Sequence, residues 1–474
     1  MRSVRQQSRR GTAYRVGVAM TALLLVTGAC SSDRSDEDPN EDESSAAAST
    51  ELPTDTFGDL ESPCGDGDAS GATDQGVTDD SITIGFGDDK GFSLAPGLNQ
   101  EMGDTMEAAI AWCNGLGGIN GREIVGNRYD AALNNAAQVG VESCGQDFAL
   151  VGQGFAFDEN LEAERIGCKE VSVPGFVVSP AATHGPMTYQ PVPNPVDVYG
   201  PGKEGVVVDN VEGADTIGIV GRDNNAAELS SKKTIAAYES LGSSIVDCGV
   251  VVKSAGGDNY RALVQRFRDC GATMLIDTAT PSPPMYAFMD ALKTEGFEGQ
   301  LAFGTPWYAD QVRLANANGL TEGLYVGMAF QPFENADDVQ AVADYLAIMA
   351  QDEEYEAGQL GMQAMSAFLL WATAAKNCGS DLTRQCLVNE LSAVHSWTGG
   401  GLHAESDPGA NLPPSCAILT QVKGDGFVQV SPETPGEYDC YDQIDLPEAN
   451  WGVELNADRL ATTYLTDDIL TPES

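Results

Sequence analysis

The sequence predicts an α/β fold in which parallel β-sheets are covered by helices on both faces. Strand-like and helix-like segments alternate from residue 81 to residue 303, as they do in β-α-β units. The alternation falls into two series, separated by Pro193 and Pro195. A chain of 474 residues is long enough to bury two sizeable cores. We therefore expect one α/β core for each series.

The first series starts at residues 82–86, whose composition is typical of a strand. A helix follows, because apolar residues recur at spacings of three and four and form one stripe. The stripe consists of Met102, Met106, Ala109, Ile110 and Cys113. Gly115, Gly117 and Gly118 end this helix. Further strands are predicted at 123–125, 148–152 and 174–178.

The second series contains the same alternation and then a hairpin. Its predicted strands are 216–220, 245–252, 273–276 and 301–303, and its predicted helices include 234–241 and 260–268. Residues 362–375 form an apolar stretch interrupted by polar residues, which predicts a buried helix rather than a membrane span. Residues 416–422 and 426–431 flank a Gly-Asp turn and predict a β-hairpin.

The N-terminal residues have the parts of an export signal. Five arginines and no acid occur in residues 1–15, and an apolar run covers 16–26. The sequence Thr-Gly-Ala before Cys30 resembles the lipobox of bacterial lipoproteins, so we expect a signal at 1–29 and an acylated, for example palmitoylated, Cys30. The alternatives are a plain signal peptide or an uncleaved anchor, although the run is shorter than the about 20 residues of a membrane span.

The other ten cysteines suit five disulfides in an oxidising compartment. Local loop closure favours pairing between neighbours, and other pairings are compatible with the sequence. The predicted bridges are Cys144–Cys168, Cys248–Cys270, Cys378–Cys386, Cys416–Cys440 and, from the two that remain, Cys64–Cys113. None of these cysteines lies in a C-x-x-C pair and the three histidines are scattered, so we predict neither a metal site nor a cofactor.

The charge excludes one class of partner. The formal net charge is −46, and it falls to about −51 when the five signal arginines are removed. Nucleic acid is excluded because its phosphates need Lys and Arg, and membrane contact is expected through the lipid only. A saline or alkaline habitat would explain the charge, and so would a general acidic bias. Residues 30–62 predict an acidic disordered tether, and 441–474 an acidic surface tail.

The order of segments resembles the type I periplasmic binding proteins, in particular the branched-chain amino-acid group of ABC-transporter substrate-binding proteins. The resemblance is carried by Ser81–Gly85, by the string NGLGGINGREI at 114–124 and by SPAAT at 179–183. Weaker matches are 259–264 and 323–327. Together they cover about residues 80 to 432, roughly three quarters of the chain.

This resemblance implies a clamshell of two Rossmann-like lobes with parallel sheets, joined by three hinge crossovers. It implies lobe 1 at 80–198 plus 330–404, and lobe 2 at 199–329 plus 405–440. It further implies a monomer on the outer face of the cytoplasmic membrane that captures a small polar or amphipathic solute, such as an amino acid or amide, for an ABC permease. A ligand-sensing lipoprotein is the alternative. A secreted hydrolase has little support, because no G-x-S-x-G, H-E-x-x-H, Walker or G-x-G-x-x-G motif occurs.

The resemblance also implies a set of solute-binding residues. They are Phe92, Phe155, Ala156, Phe157, Ala181, Thr183, Asn225, Asp277, Thr280, Trp307 and Tyr308. Ala156 and Phe157 stand where amino-acid binders present serines, and Pro306 or Trp307 stands where a glutamate is common. The aromatic residues predict an apolar wall for the solute. The alternatives are that these aromatics belong to the core and that Asp277 caps a strand end.

Overall fold

The computed structural model describes residues 51–93, 95–223, 225–446 and 452–473. The predicted signal segment 1–29, the predicted lipidation site Cys30 and tether residues 31–50 lie outside the described residues. Among the residues that are described, no helix has the length and apolar character that crossing a membrane requires.

Strands and helices alternate along the described chain. The strands are β1 (Thr56–Phe57), β2 (Leu60–Glu61), β3 (Ser81–Asp88), β4 (Glu123–Asp130), β5 (Ala149–Val151), β6 (Val171–Val173), β7 (Val198–Tyr199), β8 (Thr216–Ile219), β9 (Gly221–Arg222), β10 (Ser244–Val246), β11 (Val251–Val252), β12 (Met274–Ile276), β13 (Gln300–Phe303), β14 (Tyr325–Met328), β15 (Cys416–Lys423), β16 (Gly426–Ser431), β17 (Asp439–Cys440) and β18 (Ile444–Asp445). The helices are α1 (Gln100–Gly115), α2 (Ala136–Gln146), α3 (Glu159–Gly167), α4 (Pro180–Thr183), α5 (Gly202–Asn210), α6 (Asn225–Ser240), α7 (Tyr260–Cys270), α8 (Pro283–Thr294), α9 (Asp310–Ala315), α10 (Gln340–Met349), α11 (Gln359–Cys378) and α12 (Arg384–Ser392).

The first sheet has the strand order β4-β3-β5-β6, and all of its pairs are parallel. Helix α1 packs against β3, β4 and α11. Met102, Met106, Ala109 and Cys113 of the predicted apolar stripe are buried, because this face of α1 meets the core. Helix α11 is also buried over most of its length, as predicted for residues 362–375.

The second sheet has the order β10-β8-β12-β13-β14-β15-β16, with β17 beside β15. Strands from β10 to β14 run parallel, and β15 joins antiparallel to β14. The predicted hairpin at 416–431 is confirmed as the antiparallel pair β15–β16. Both sheets belong to one compact unit, residues 47–474.

The described chain passes between the two sheets three times. It leaves the first sheet after β6, returns from β14 to α10, and crosses again between α12 and β15. We call these connections the first, second and third crossings, at residues 174–201, 329–339 and 393–415. The predicted α/β fold with two parallel-sheet cores and three crossovers is therefore confirmed.

Two strand predictions need correction. Residues 174–178 form no strand, and the strand before them is Val171–Val173, because Pro174 has no N–H to continue the ladder. The predicted strand 245–252 is two short strands, β10 and β11, that pair with β8 and β9 respectively.

The end of the predicted tether is folded onto the body. Phe57 is fully buried, and β1 and β2 form a small antiparallel ribbon. Trp112 Nε1 donates to the Pro53 carbonyl at 2.7 Å, and Asp59 N donates to the Gly400 carbonyl at 3.0 Å. Residues 51–62 are therefore ordered by the burial of Phe57 and by hydrogen bonds to main-chain carbonyls. Their acidic composition had predicted disorder, because it gives no sign of these contacts.

The C-terminal segment is also held by specific contacts rather than lying free on the surface. Strand β18 pairs with β7. The Arg459 guanidinium donates to both carboxylate oxygens of Asp197, at 2.6 and 2.8 Å, and to the carbonyls of Ala410 and Asn411. Arg459 therefore ties this segment to the first and third crossings.

All five predicted disulfides are confirmed within the described residues. They are Cys64–Cys113, Cys144–Cys168, Cys248–Cys270, Cys378–Cys386 and Cys416–Cys440. Cys416–Cys440 joins β15 to β17, and Cys64–Cys113 ties the N-terminal segment to α1. Glu170 lies beside Cys144 and Cys168, but both sulfurs are used in their bridge, so this cluster offers no thiolate to a metal.

Candidate functional site

A cavity of about 310 Å³ lies where the three crossings meet. The crossings contribute residues such as Asn194, Phe330 and Pro413 to its lining. The first-sheet side contributes residues of α11, and the second-sheet side contributes residues of α6 and of the turn after β13. Ligand pockets in proteins hold about 300–1,000 Å³, so the volume suits a small solute.

A second cavity, of about 140 Å³, extends from the first toward the second sheet. The two cavities share the lining residues Tyr199, Lys203, Ser230, Thr305 and Pro306. The smaller cavity is also lined by 276–278 and 302–305, which follow or end the parallel strands β12 and β13. Ligands of open α/β sheets bind beyond such carboxyl ends, so we treat the two cavities together as one cleft.

The walls of the larger cavity are mostly apolar. Leu229, Leu360, Phe176 and Phe330 line it, together with several prolines and valines. Prolines present no N–H, so the crossings close around the cavity without leaving many unpaired donors. A solute body bound here would contact hydrocarbon and ring surface.

Several polar side chains of the larger cavity are available to a solute, and three of them are Lys203, Gln359 and Ser230. Lys203, in the first turn of α5, places Nζ 5.6 Å from the centre of the Tyr199 ring and forms no ion pair with any described residue. Gln359 begins α11 and is 6% exposed, and its Nε2 has no hydrogen-bond partner among the described residues. Ser230 of α6 lines both cavities.

Lys233 also lines the larger cavity, but its ammonium is already in use. Nζ donates to the Asn194 carbonyl at 3.0 Å, to Asn194 Oδ1 at 2.9 Å and to the Pro195 carbonyl at 2.8 Å. Burial lowers the pKa of Lys233, but three acceptors match the three N–H groups of an ammonium and favour the charged form. Lys233 therefore anchors α6 to the first crossing.

Two acidic residues line the smaller cavity, and each has partners. Glu204 Oε1 accepts from the Tyr199 hydroxyl at 2.9 Å and from Thr234 Oγ1 at 3.2 Å. Glu204 Oε2 is buried without a partner among the described residues, and burial raises the pKa of this carboxyl although Lys203 opposes the shift. Asp277 is buried and paired with Arg222 at 2.7 Å.

Asp277, among the residues predicted from the sequence, lines the cleft, but Trp307 and Tyr308 do not. Trp307 is fully buried, and its Nε1 donates to Asp277 Oδ2 at 3.1 Å and to the Ala279 carbonyl at 2.9 Å. The Tyr308 hydroxyl donates to Glu334 Oε2 at 2.7 Å, and its ring packs on Phe427. The aromatic wall predicted from these two residues is thus part of the core, which is the alternative that the sequence left open.

The predicted aromatic residues after β5 are not in the cleft either. Phe155 is buried in a separate cluster with residues such as Tyr129 and Leu161, whereas Phe157 is 46% exposed. Ala156 N donates to Asp89 Oδ2 at 2.7 Å. Phe92 is half-buried in a turn closed by main-chain bonds. Neither cavity is lined by any of these four residues.

Of the four remaining predicted residues, the three whose side chains are described, Ala181, Thr183 and Thr280, do not line either cavity. Ala181 and Thr183 lie in α4, and Thr183 Oγ1 accepts from Gln190 Nε2 at 3.0 Å. Thr280 is exposed. Asn225 is the first residue of α6, and its side chain lies outside the described part of the chain.

Sequence reasoning missed most of the cleft lining, including Lys203, Ser230 and Gln359. Two signals were available. Prolines cluster at 193–195 and 413–414, where the crossings line the cavity. Lysine is also uncommon in a chain with 71 acidic and 25 basic residues, so two lysines in one cavity are notable.

The comparisons with known proteins bear on the family and the fold. The sequence family described as periplasmic binding protein matches residues 185–426. The search of curated proteins found no match.

Solved structures share the fold at low sequence identity. A fatty acid ABC transporter substrate-binding protein from Thermomonospora curvata is 17% identical, with a TM-score of 0.62 over 77% of this chain and 95% of that one. A solute-binding protein of an ABC transporter from R. palustris, in complex with 4-hydroxybenzoate, is 16% identical, with a TM-score of 0.59 over 78% and 99%. A leucine-binding protein from Thermotoga maritima is 15% identical, with a TM-score of 0.58 over 74% and 97%.

Proposed function

Because this chain belongs to the periplasmic binding protein family, we propose that it captures a small amphipathic solute for an ABC importer. The observation that carries the proposal is the cleft between the two sheets. Residues from both sheets and from all three crossings line it, so a bound solute would hold the two halves together. The family consists of solute-binding proteins, and we assign no chemistry on the solute to this chain.

In this proposal the two halves are the lobes implied by the sequence, 80–198 plus 330–404 and 199–329 plus 405–440. A solute shifts the balance between open and closed lobes by its differential affinity for the closed form. The closed form then presents a distinct surface to the permease. The structural neighbours support a small amphipathic solute, since they include a fatty acid substrate-binding protein, a solute-binding protein in complex with 4-hydroxybenzoate and a leucine-binding protein.

Binding of a solute is expected to stabilise the protein. A solute present at a hundred times its Kd should add about 2.7 kcal/mol to the free energy of unfolding. We would measure the thermal midpoint of the full chain in mild detergent against amino acids, organic acids, amides and sugars. A concentration-dependent rise with one chemical class supports solute capture. The absence of any rise, confirmed by equilibrium dialysis with the same solutes, contradicts it.

We further propose that the protein is exported and held as a monomer on the outer face of the cytoplasmic membrane by an acylated Cys30. The basic n-region, the apolar run and the residues before Cys30 support this anchor. Mass spectrometry of protein extracted from membranes is expected to find an N-terminal peptide that begins at Cys30 and carries acyl chains. A Cys30→Ser variant should appear in the soluble fraction. A mature chain that starts elsewhere and is unmodified contradicts the anchor.

A further inference from the structure

We propose that the cleft selects a small organic carboxylate with an apolar body, and that Lys203 receives the carboxylate. This inference rests on the proposed function, since it names the chemical class of the solute held at the same site. Four observations carry it: the charge of the lining, the free cation, the unpaired amide and the apolar walls.

The charged residues that line the larger cavity are basic, whereas the chain as a whole is strongly acidic. The sequence has 71 acidic and 25 basic residues, yet no Asp or Glu occurs among the described residues that line this cavity, and two lysines do. The ammonium group of an amino acid is held best by a carboxylate at hydrogen-bond distance. The larger cavity offers none, whereas an anion would meet positive potential there.

Lys203 is the cation that remains for a solute. Lys233 donates its N–H groups to three acceptors of the first crossing. Lys203, in contrast, forms no ion pair with a described residue and lies over the Tyr199 ring. Lys203 also lies in the first turn of α5, and Gly200, just before this helix, lines the same cavity. The positive end of the helix dipole therefore adds to the lysine charge at this place.

Gln359 supplies a second unsatisfied group, from the opposite side of the cleft. The residue is 6% exposed, and its Nε2 has no hydrogen-bond partner among the described residues. A buried polar group without a protein partner costs free energy, so an acceptor on a bound solute would gain a hydrogen bond here without displacing a protein partner. An N–H donor requires an acceptor, and a carboxylate oxygen is a strong one.

The remaining walls specify the rest of the solute. Phe176, Leu229, Phe330 and Leu360 offer hydrocarbon and ring contacts, which favour an apolar body. Glu204, in the smaller cavity, is the competing feature because Oε2 lacks a partner there. Its other oxygen already accepts two hydroxyl groups and burial raises its pKa, which makes it a poor partner for an ammonium group.

The test compares solutes of matched shape by isothermal titration calorimetry on the full chain at neutral pH. The carboxylates are benzoate, phenylacetate and hexanoate, the neutral partners are benzamide and hexanamide, and the zwitterions are leucine and phenylalanine. We expect at least one carboxylate to bind about 10- to 100-fold more tightly than its amide, the range expected for a charged hydrogen bond. Lys203→Met should weaken carboxylate binding by about the same factor and leave amide binding little changed.

Three variants keep the test decisive. Lys203→Arg retains the charge and should retain most of the affinity, which separates loss of the cation from loss of the fold. Lys232→Met removes a neighbouring lysine that pairs with Glu228 and does not line the cleft, and it should bind as the parent does. Glu204→Gln removes the competing carboxyl group from the smaller cavity, so carboxylates should bind this variant at least as tightly as the parent. Each variant is checked first for a parental thermal midpoint without solute.

The outcomes separate this inference from the proposed function. Selective carboxylate binding that Lys203→Met weakens by this factor and Lys203→Arg preserves supports the inference. The inference is overturned if amides or zwitterions bind more tightly than carboxylates, or if Lys203→Met does not change carboxylate binding. In either case the proposal of solute capture stands. The inference is also overturned if none of the seven solutes binds and the broader thermal-shift panel finds a solute of another class.

Discussion

Replacing Trp307 with alanine is expected to lower the free energy of unfolding by about 3–5 kcal/mol, the usual loss for a large aromatic residue in a core. Trp307 is fully buried at the end of the turn that follows β13, and its ring lies 4.7 Å from that of Phe303 and 5.7 Å from that of Tyr286, centre to centre. The substitution leaves a cavity and also removes an N–H donor from the buried Asp277 carboxylate.

The measurement is urea unfolding of the full chain, followed by circular dichroism. Trp307→Phe is the matched control, because it keeps an aromatic ring in the core while it removes the indole N–H and the smaller ring of the indole. This variant should lower the free energy of unfolding by about 1–3 kcal/mol, the range for removing one partner of a buried hydrogen bond. Since the ring does not line the cleft, Trp307→Phe should bind solute as the parent does. A large loss of solute affinity at unchanged stability would instead support the solute-binding role that was predicted for Trp307 from the sequence.

Replacing Arg128 with methionine is expected to destabilise the protein by about 3–5 kcal/mol, because breaking a buried ion pair leaves charge without compensation. Arg128 in β4 contacts Asp88 at 2.6 Å, Asp104 at 2.8 Å and Glu107 at 3.0 Å. The Asp88 and Asp104 side chains are 0% and 6% exposed, so solvent cannot replace the guanidinium. One base thus holds two buried acids at the carboxyl end of β3 and in α1.

Arg313→Met is the matched control, since the Arg313–Asp310 pair is exposed and an exposed pair contributes about 0–1 kcal/mol. The Arg128→Met defect should also shrink as the pH falls. Burial already raises the pKa of Asp88, and Arg128 opposes that rise. Without Arg128 the folded state binds a proton more readily than the unfolded chain, so acidification favours folding of the variant relative to the parent. A defect that is constant from pH 8 to pH 5 contradicts this account.

The composition of the cleft lining differs from that of the whole chain. The protein is strongly acidic, yet its larger cavity is lined by prolines, apolar side chains and two lysines. An acidic surface keeps a protein soluble and apart from other anions. Under the proposed selectivity, two lysines and apolar walls inside the cavity would allow a small anion to bind where the surrounding surface would repel it.

Local patterns in the sequence determined most of the architecture. The spacing of Met102, Met106 and Cys113 predicted α1, the apolar stretches predicted most of the strands of both sheets, and the Gly-Asp turn predicted the β15–β16 hairpin. Loop closure between neighbouring cysteines predicted four of the five disulfides, and Cys64–Cys113 joins the two cysteines that this rule left over. These features depend on residues close in sequence, so periodicity and turn chemistry suffice to read them.

Only the tertiary structure decided which side chains face the cleft. Trp307 and Pro306 are adjacent, yet the ring of one fills the core and the other lines both cavities. Lys203 and Lys233 are both lysines near the first crossing, and only their partners in space distinguish an anchor from a free cation. Such differences arise because the cavity collects residues from distant segments of the chain. Composition and spacing do not record which side of its element each of these residues faces.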